Sequence, residues 1–295
     1  MNLIHIDENG LHLVFERKED GTCKLLHFSA LPFDEDRLLH QHDRSTGEIK
    51  VNTERYNLLE IMVSGQDRPL ERHGNKYIST APGYRMQLVD FADKRNSLGR
   101  KLEIKMHDDV CGIDTVSHMQ FYDGIQAVRC WTDVTNVGGE PQGLEYVSSF
   151  ALTGIEKEGL LSTDDKMRVW YPHNGWQREM QWESYSFPQL GLALCQPEEV
   201  QRSSKVIGAT NIGNWSTKEY LPMGLLENTE TGSNLFWQIE HNGSWHWEIS
   251  DQMGSFYIQL SGPSETESHW WKNLQPGETF TTVPVCVGST IGKFD

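Results

Sequence analysis

Hydrophobic and polar residues alternate with a period of two over most of this chain. In Lys101-Leu102-Glu103-Ile104-Lys105-Met106 charged and apolar side chains take turns, and Asn234-Leu235-Phe236-Trp237-Gln238-Ile239-Glu240 keeps the same rhythm. Successive side chains of a strand point to opposite faces, so this pattern predicts strands with one face buried and one wet. Trp245, Trp247 and Ile249 set against His246, Glu248 and Ser250 predict another strand, and His241-Asn242-Gly243-Ser244 stands between the two. Asn-Gly favours the positive φ that a tight turn needs, so residues 234–250 are expected to form a hairpin. Further strands are expected at 11–16, 23–29, 57–63, 84–91, 117–122, 125–135, 144–153, 190–195, 223–227, 255–260 and 279–287. Turns such as Val137-Gly138-Gly139 and Gln275-Pro276-Gly277-Glu278 separate them. Helical periodicity is almost absent, which predicts an all-β chain built as one large antiparallel sandwich. No repeat, linker or shift in composition marks a second domain within residues 1–295.

Length permits a substantial core, and charge narrows the partners. Lys plus Arg total 26 against 42 Asp plus Glu, a formal charge of -16 that repels phosphate backbones and anionic headgroups. Nucleic acid and membrane surfaces are therefore not expected partners. The five cysteines, at 23, 111, 130, 195 and 286, lack C-x-x-C spacing, and their odd number leaves at least one unpaired. A reducing compartment fits that pattern. Met1-Asn2-Leu3-Ile4-His5-Ile6-Asp7 lacks the basic start and apolar run of a secretory signal, so the expected location is cytoplasmic. The C-terminal Gly288-Ser289-Thr290-Ile291-Gly292-Lys293-Phe294-Asp295 neither caps a helix nor forms a polar tail, and reads as a cut in a longer protein. Ten tryptophans are many for this length, and their amphipathic rings suit binding faces as well as cores.

Candidate chemistry is sparse. His40-Gln41-His42-Asp43 puts two imidazoles on one face of a strand, but two ligands do not make a metal site, and they are read as solvated histidines. The motifs of serine hydrolases, P-loops, dinucleotide folds and zinc proteases do not occur. Asp34 with Asp36, Asp108 with Asp109 and Asp164 with Asp165 are acidic pairs of the kind glycoside hydrolysis needs, yet neighbouring acids in loops are usually only hydrated. His173-Asn174-Gly175-Trp176-Gln177-Arg178-Glu179-Met180-Gln181-Trp182 stands out, because two indoles bracket an Arg-Glu pair behind an Asn-Gly turn. Two readings remain open there. Trp176 packs beneath a loop while Arg178 and Glu179 form a surface ion pair of little worth, or the indole offers a flat face to a pyranose while the charged groups bond its hydroxyls.

Four segments resemble glycoside hydrolase family 36, the bacterial α-galactosidases. Asn136-Val137-Gly138-Gly139 matches the family's N-x-G-G, residues 173–182 approximate G-x-W-x-R-E-x-x-W, and Leu274-Gln275-Pro276-Gly277-Glu278-Thr279-Phe280 matches L-x-P-G-E-x-F. Upstream, Ala81-Pro82-Gly83-Tyr84-Arg85-Met86-Gln87 is similar to A-P-A-Y-x-x-Q. The resemblance implies an N-terminal β-supersandwich domain ahead of a catalytic (β/α)8 barrel that this chain does not contain. Both catalytic aspartates would lie in that barrel, so no catalytic residue is expected here and no metal or organic cofactor is implied. The implied partners are the chain's own C-terminal barrel, further subunits of a homo-tetramer, and α-galactoside oligosaccharides such as melibiose and raffinose. The implied substrate-binding residues are Trp176, Arg178 and Asp43. The family's Y-G-x-x-D-F-R element has no counterpart at Arg72-His73-Gly74-Asn75-Lys76-Tyr77. Two other readings need no barrel. One is a free-standing carbohydrate-binding module; the other is an aldose epimerase working with a His acid and a Glu base.

Overall fold

The structure is a computed structural model that describes residues 2–38, 40–42, 49–51, 53–66, 76–194, 205–252 and 254–294. Strands dominate it, and its α-helices are single turns of four or five residues at Glu35–Leu38, Ala81–Arg85, Thr163–Lys166 and Glu265–Ser268. Among the described residues none forms a helix long and apolar enough to cross a membrane.

Two antiparallel sheets carry the fold. The larger runs in the order Gln181–Ser186, Met167–His173, Met223–Asn228, Ser233–Ile239, Val285–Ile291, Ala127–Asn136, Ile113–Phe121, Arg100–Asp108 and Gln87–Arg95, with Thr279–Thr281 also paired to Ala127–Asn136. The smaller runs Ile207–Asn211, Trp245–Gln252, Ser255–Ser261, Gln142–Thr153 and Lys272–Leu274, with Ile61–Val63 also on Gln142–Thr153. The N-terminal Asn2–Glu8, Leu11–Arg17 and Cys23–Ser29 form a three-stranded sheet that shares the same core. Trp237 meets Trp247 at 5.2 Å between ring centres, joining one sheet to the other, and Phe187, just past the edge strand of the large sheet, meets Phe256 of the small one at 4.8 Å. Alternation is kept where it was clearest: along Arg100–Asp108, Leu102, Ile104 and Met106 are buried and the residues between them are half-buried.

The expected hairpin over 234–250 does not form. Ser233–Ile239 pairs with Met223–Asn228 and Val285–Ile291 in the large sheet, whereas Trp245–Gln252 pairs with Ile207–Asn211 and Ser255–Ser261 in the small one. The Asn242-Gly243 turn is a crossing between layers. The physical reason lies in burial, because every residue of Trp245–Gln252 is buried and a two-stranded hairpin with a wet face could not satisfy both sides of that strand. Its polar side chains are met internally: Glu248 accepts from the Tyr77 backbone N–H at 2.8 Å and the Tyr257 hydroxyl at 2.7 Å.

Other boundaries shift for local reasons. The expected 279–287 strand is two, since Pro284 cannot donate to a ladder and Thr282 instead exchanges bonds with Thr132. The expected 57–63 strand shortens to Ile61–Val63, and 84–91 starts at Gln87 after a helical turn opened by Pro82. Residues 190–194 run without pairing after the turn Pro188–Leu190, although Leu190, Leu192 and Leu194 all pack on the core. Alternation reports burial there and not pairing. Four described cysteines, 23, 111, 130 and 286, are free thiols, and burial pushes the Cys23 thiol up to about 12.

Candidate functional site

The segment from His173 to Trp182 is the tip of a hairpin that pattern reading missed, formed by Met167–His173 and Gln181–Ser186 at one edge of the large sheet. Asn174 anchors the tip: its backbone N–H donates to Glu219 O at 2.8 Å, its Nδ2 donates to Thr217 O, and its Oδ1 accepts from the Met180 N–H at 3.0 Å. Gly175 O accepts from the Arg178 N–H at 2.9 Å, which closes a turn directly under Trp176. Gln177 and Met180 take left-handed backbone, φ 63 and 54, which non-glycine residues adopt rarely. Such conformations persist where the surroundings enforce them, often at ligand-facing sites.

This geometry turns Trp176 outward, with 79% of its surface exposed. Beside it stands Trp215 from the 212–222 loop, 50% exposed, its ring centre 6.4 Å away and its plane at 83° to that of Trp176. Met180 and Ile212 are exposed as well. Two indoles set at a right angle in water cost hydration free energy that burial would have recovered, and concentrated apolar exposure of this kind marks contact sites. The packed-under-a-loop reading of Trp176 is thereby overturned. Its companion ion pair is absent too, since Glu179 Oε1 accepts from the Gln177 N–H at 3.1 Å and the exposed Arg178 side chain has no partner among the described residues.

Behind the tip lies a belt of rings. Tyr171 touches His173, Tyr185, Tyr220 and Trp247, and so ties the hairpin to the core. The Tyr185 hydroxyl donates to Glu183 Oε2 at 2.7 Å, and that acceptor, with a little burial, pushes the phenol up to about 12. On the outer side of the same strands Trp182 and Trp170 flank Phe294, at 5.1 and 5.2 Å between ring centres. The belt gives the tip a stiff base. The tip presents flat apolar faces to solvent, with the exposed Arg178 guanidinium able to donate.

The other sequence candidates fare differently. Asp43 lies outside the described residues; His40 and His42 fall in the short strand His40–His42, and their side chains are likewise outside the description. Asp108 is 1% exposed and its carboxylate takes two bonds from Arg85, at 3.0 and 2.8 Å. Burial is the largest influence and raises its pKa, but the bonds from Arg85, Cys111 and the Val110 N–H together with the Arg85 charge hold it below the usual carboxylate range. Asp109 turns to His107 and Asp165 to Ser162, so neither adjacent pair is arranged to share a substrate. Asn136 and the Leu274–Phe280 motif meet: Asn136 Nδ2 donates to Leu274 O at 2.9 Å and the Gly277 N–H donates to Asn136 O at 2.8 Å. Those two motifs are joints of the fold and not parts of the site. The residue missed by sequence reading is Trp215, whose signal was an indole set among Asn, Gly, Ser and Thr in Asn211-Ile212-Gly213-Asn214-Trp215-Ser216-Thr217.

Neither a protein-family model nor a curated protein sequence matches this chain. Solved structures do. The GH36 α-galactosidase AgaA from Geobacillus stearothermophilus superposes with a TM-score of 0.70 at 14% identity, over 98% of this chain and 41% of that one. The α-galactosidase from Lactobacillus brevis gives 0.68 at 12% identity, over 98% and 39%. The galactosidase domain of the α-galactosidase-sucrose kinase AgaSK gives 0.70 at 12%, over 98% and 41%. This chain has the fold of part of the GH36 α-galactosidases. It spans about two fifths of their length, and strands dominate its described residues, as the alternation predicted.

Proposed function

We propose that this chain is the non-catalytic N-terminal β-supersandwich domain of a retaining α-galactosidase-like glycoside hydrolase, and that Trp176, Trp215 and Arg178 form the rim of a sugar site in the assembled enzyme. The observation that carries this reading is the superposition of 98% of the chain on two fifths of a GH36 α-galactosidase. The exposed indole pair, in the segment that resembles the family's G-x-W-x-R-E-x-x-W, supports the rim. AgaA variants have been crystallised with raffinose and with stachyose, and terminal α-galactosides of that type are the substrates proposed here. The catalytic barrel would lie beyond this chain, homo-oligomer contacts would bring the rim to a neighbouring subunit, and the enzyme would act in the cytoplasm without a cofactor. An epimerase reading has less support, because His246 and Glu248, 3.4 Å apart, are 7% and 1% exposed and are engaged by Thr210, Tyr77 and Tyr257.

The purified chain should therefore release no nitrophenol from a nitrophenyl α-galactoside. Turnover that survives repeated purification and disappears on mutating an acid within residues 1–295 would overturn the proposal.

Trp176→Ala tests the rim. In the enzyme joined to its barrel, kcat/KM on raffinose is expected to fall about tenfold, near the upper end of what a stacked aromatic contact contributes. Melting should be nearly unchanged, since a residue this exposed leaves no cavity behind. A large drop in Tm with unchanged kcat/KM would assign Trp176 to packing instead.

A further inference from the structure

A third exposed indole stands at the edge of the small sheet. Trp271 directly precedes the edge strand Lys272–Leu274 of the small sheet and is 52% exposed, while its neighbour Trp270 packs on Phe280 at 5.0 Å and contacts the core. His269, with left-handed backbone at φ 53, caps the turn Glu265–Ser268 just before the two rings.

Three features hold Trp271 in one orientation. A Cβ added at Gly143 would lie 2.6 Å from Trp271 Nε1 and 2.9 Å from Cε2, so the indole rests directly on the Gly143 backbone. Gly143 does not have left-handed φ, and glycine is needed there for close approach alone. Trp271 Nε1 donates to Ser64 Oγ at 3.0 Å, and Ser64 Oγ donates to Glu145 Oε1 at 2.6 Å. An indole whose N–H and one edge are fixed while half of its surface stays in water is not serving a core.

The surroundings of the ring are polar. Gly143 lies opposite Asn273 in register, and alternation puts Glu145 and Trp271 on that same face. Glu145 Oε2 and the Asn273 amide have no partner among the described residues, leaving acceptors and a donor at the rim of a flat apolar surface. A protein partner would be expected to find apolar neighbours around such a ring, whereas a pyranose presents an apolar face edged by hydroxyls, which this arrangement complements.

We propose that Trp271, with Glu145, Ser64 and Asn273, forms a carbohydrate-binding subsite separate from the Trp176 tip, and that it takes one pyranose ring of a neutral oligosaccharide. Calorimetric titration of the 295-residue chain with raffinose and with galactomannan tests it. Saturable binding is expected, weakened about tenfold by Trp271→Ala, as a stacked ring allows. Gly143→Ala, which keeps the indole but lifts it, and Glu145→Gln should each weaken binding less. The Trp176→Ala/Trp215→Ala double variant should retain it. Absence of saturable binding to either probe, parental binding by all three single variants, or loss of binding in the double variant alone would each overturn the subsite. If Trp271→Ala fails to fold, the Gly143 and Glu145 variants decide the question by themselves. None of these outcomes bears on kcat/KM of the Trp176 variant, so the two sites stand or fall separately.

Discussion

Replacing Lys76 with methionine is expected to destabilise the chain by about 3–5 kcal/mol. Both side chains of the Lys76–Asp251 pair are 0% exposed, and Lys76 Nζ lies 2.8 Å from Asp251 Oδ1 and 3.1 Å from Asp251 O. Methionine fills nearly the same volume, so little of the loss comes from a cavity. It comes from removing the ammonium that sits 2.8 Å from a carboxylate in a low-dielectric interior. The same reasoning predicts that the double variant Lys76→Met/Asp251→Met recovers most of the loss, because an apolar pair owes no desolvation. Urea denaturation of the parent, both single variants and the double variant completes the cycle. A Lys76→Met midpoint equal to the parent's would mean that other donors or water hold Asp251.

Trp247→Ala should cost a similar amount, about 3–5 kcal/mol, through a different mechanism. Trp247 is 1% exposed and wedged between the sheets, against Trp237 at 5.2 Å and Tyr171 at 5.7 Å. Truncation removes contacts from two layers at once, and strands paired on both sides cannot close the gap. Tyr171 belongs to the hairpin that carries Trp176, so the loss should also loosen the tip. Denaturant melting together with fluorescence anisotropy of the remaining indoles would detect both effects. A variant that melts like its parent would show that the sheets repack around alanine.

Particular residues show how far the sequence reached. Leu102, Ile104 and Met106 announced their strand because alternation is a local consequence of having one wet face, and the same logic made the all-β class legible. The segment around Trp176 stood out by composition, with two indoles and an Arg-Glu pair within ten residues, but composition left open whether the indole was packed or exposed. Partner choice was not legible. Asn242-Gly243 satisfies a hairpin turn as well as it does a crossing, and only the burial of Trp245–Gln252 on both faces sends that strand to the other sheet. Trp215 joins Trp176 from a distant loop, a proximity that no local pattern encodes. Trp270 and Trp271 are identical neighbours in sequence, yet one packs half-buried on Phe280 and the core while the other rests on the bare strand at Gly143 with half its surface in water. Period and composition are properties of a few adjacent residues, and the chain determined them alone; strand pairing and the exposure of each indole depend on what packs against it from far along the chain, and only the tertiary structure decided them.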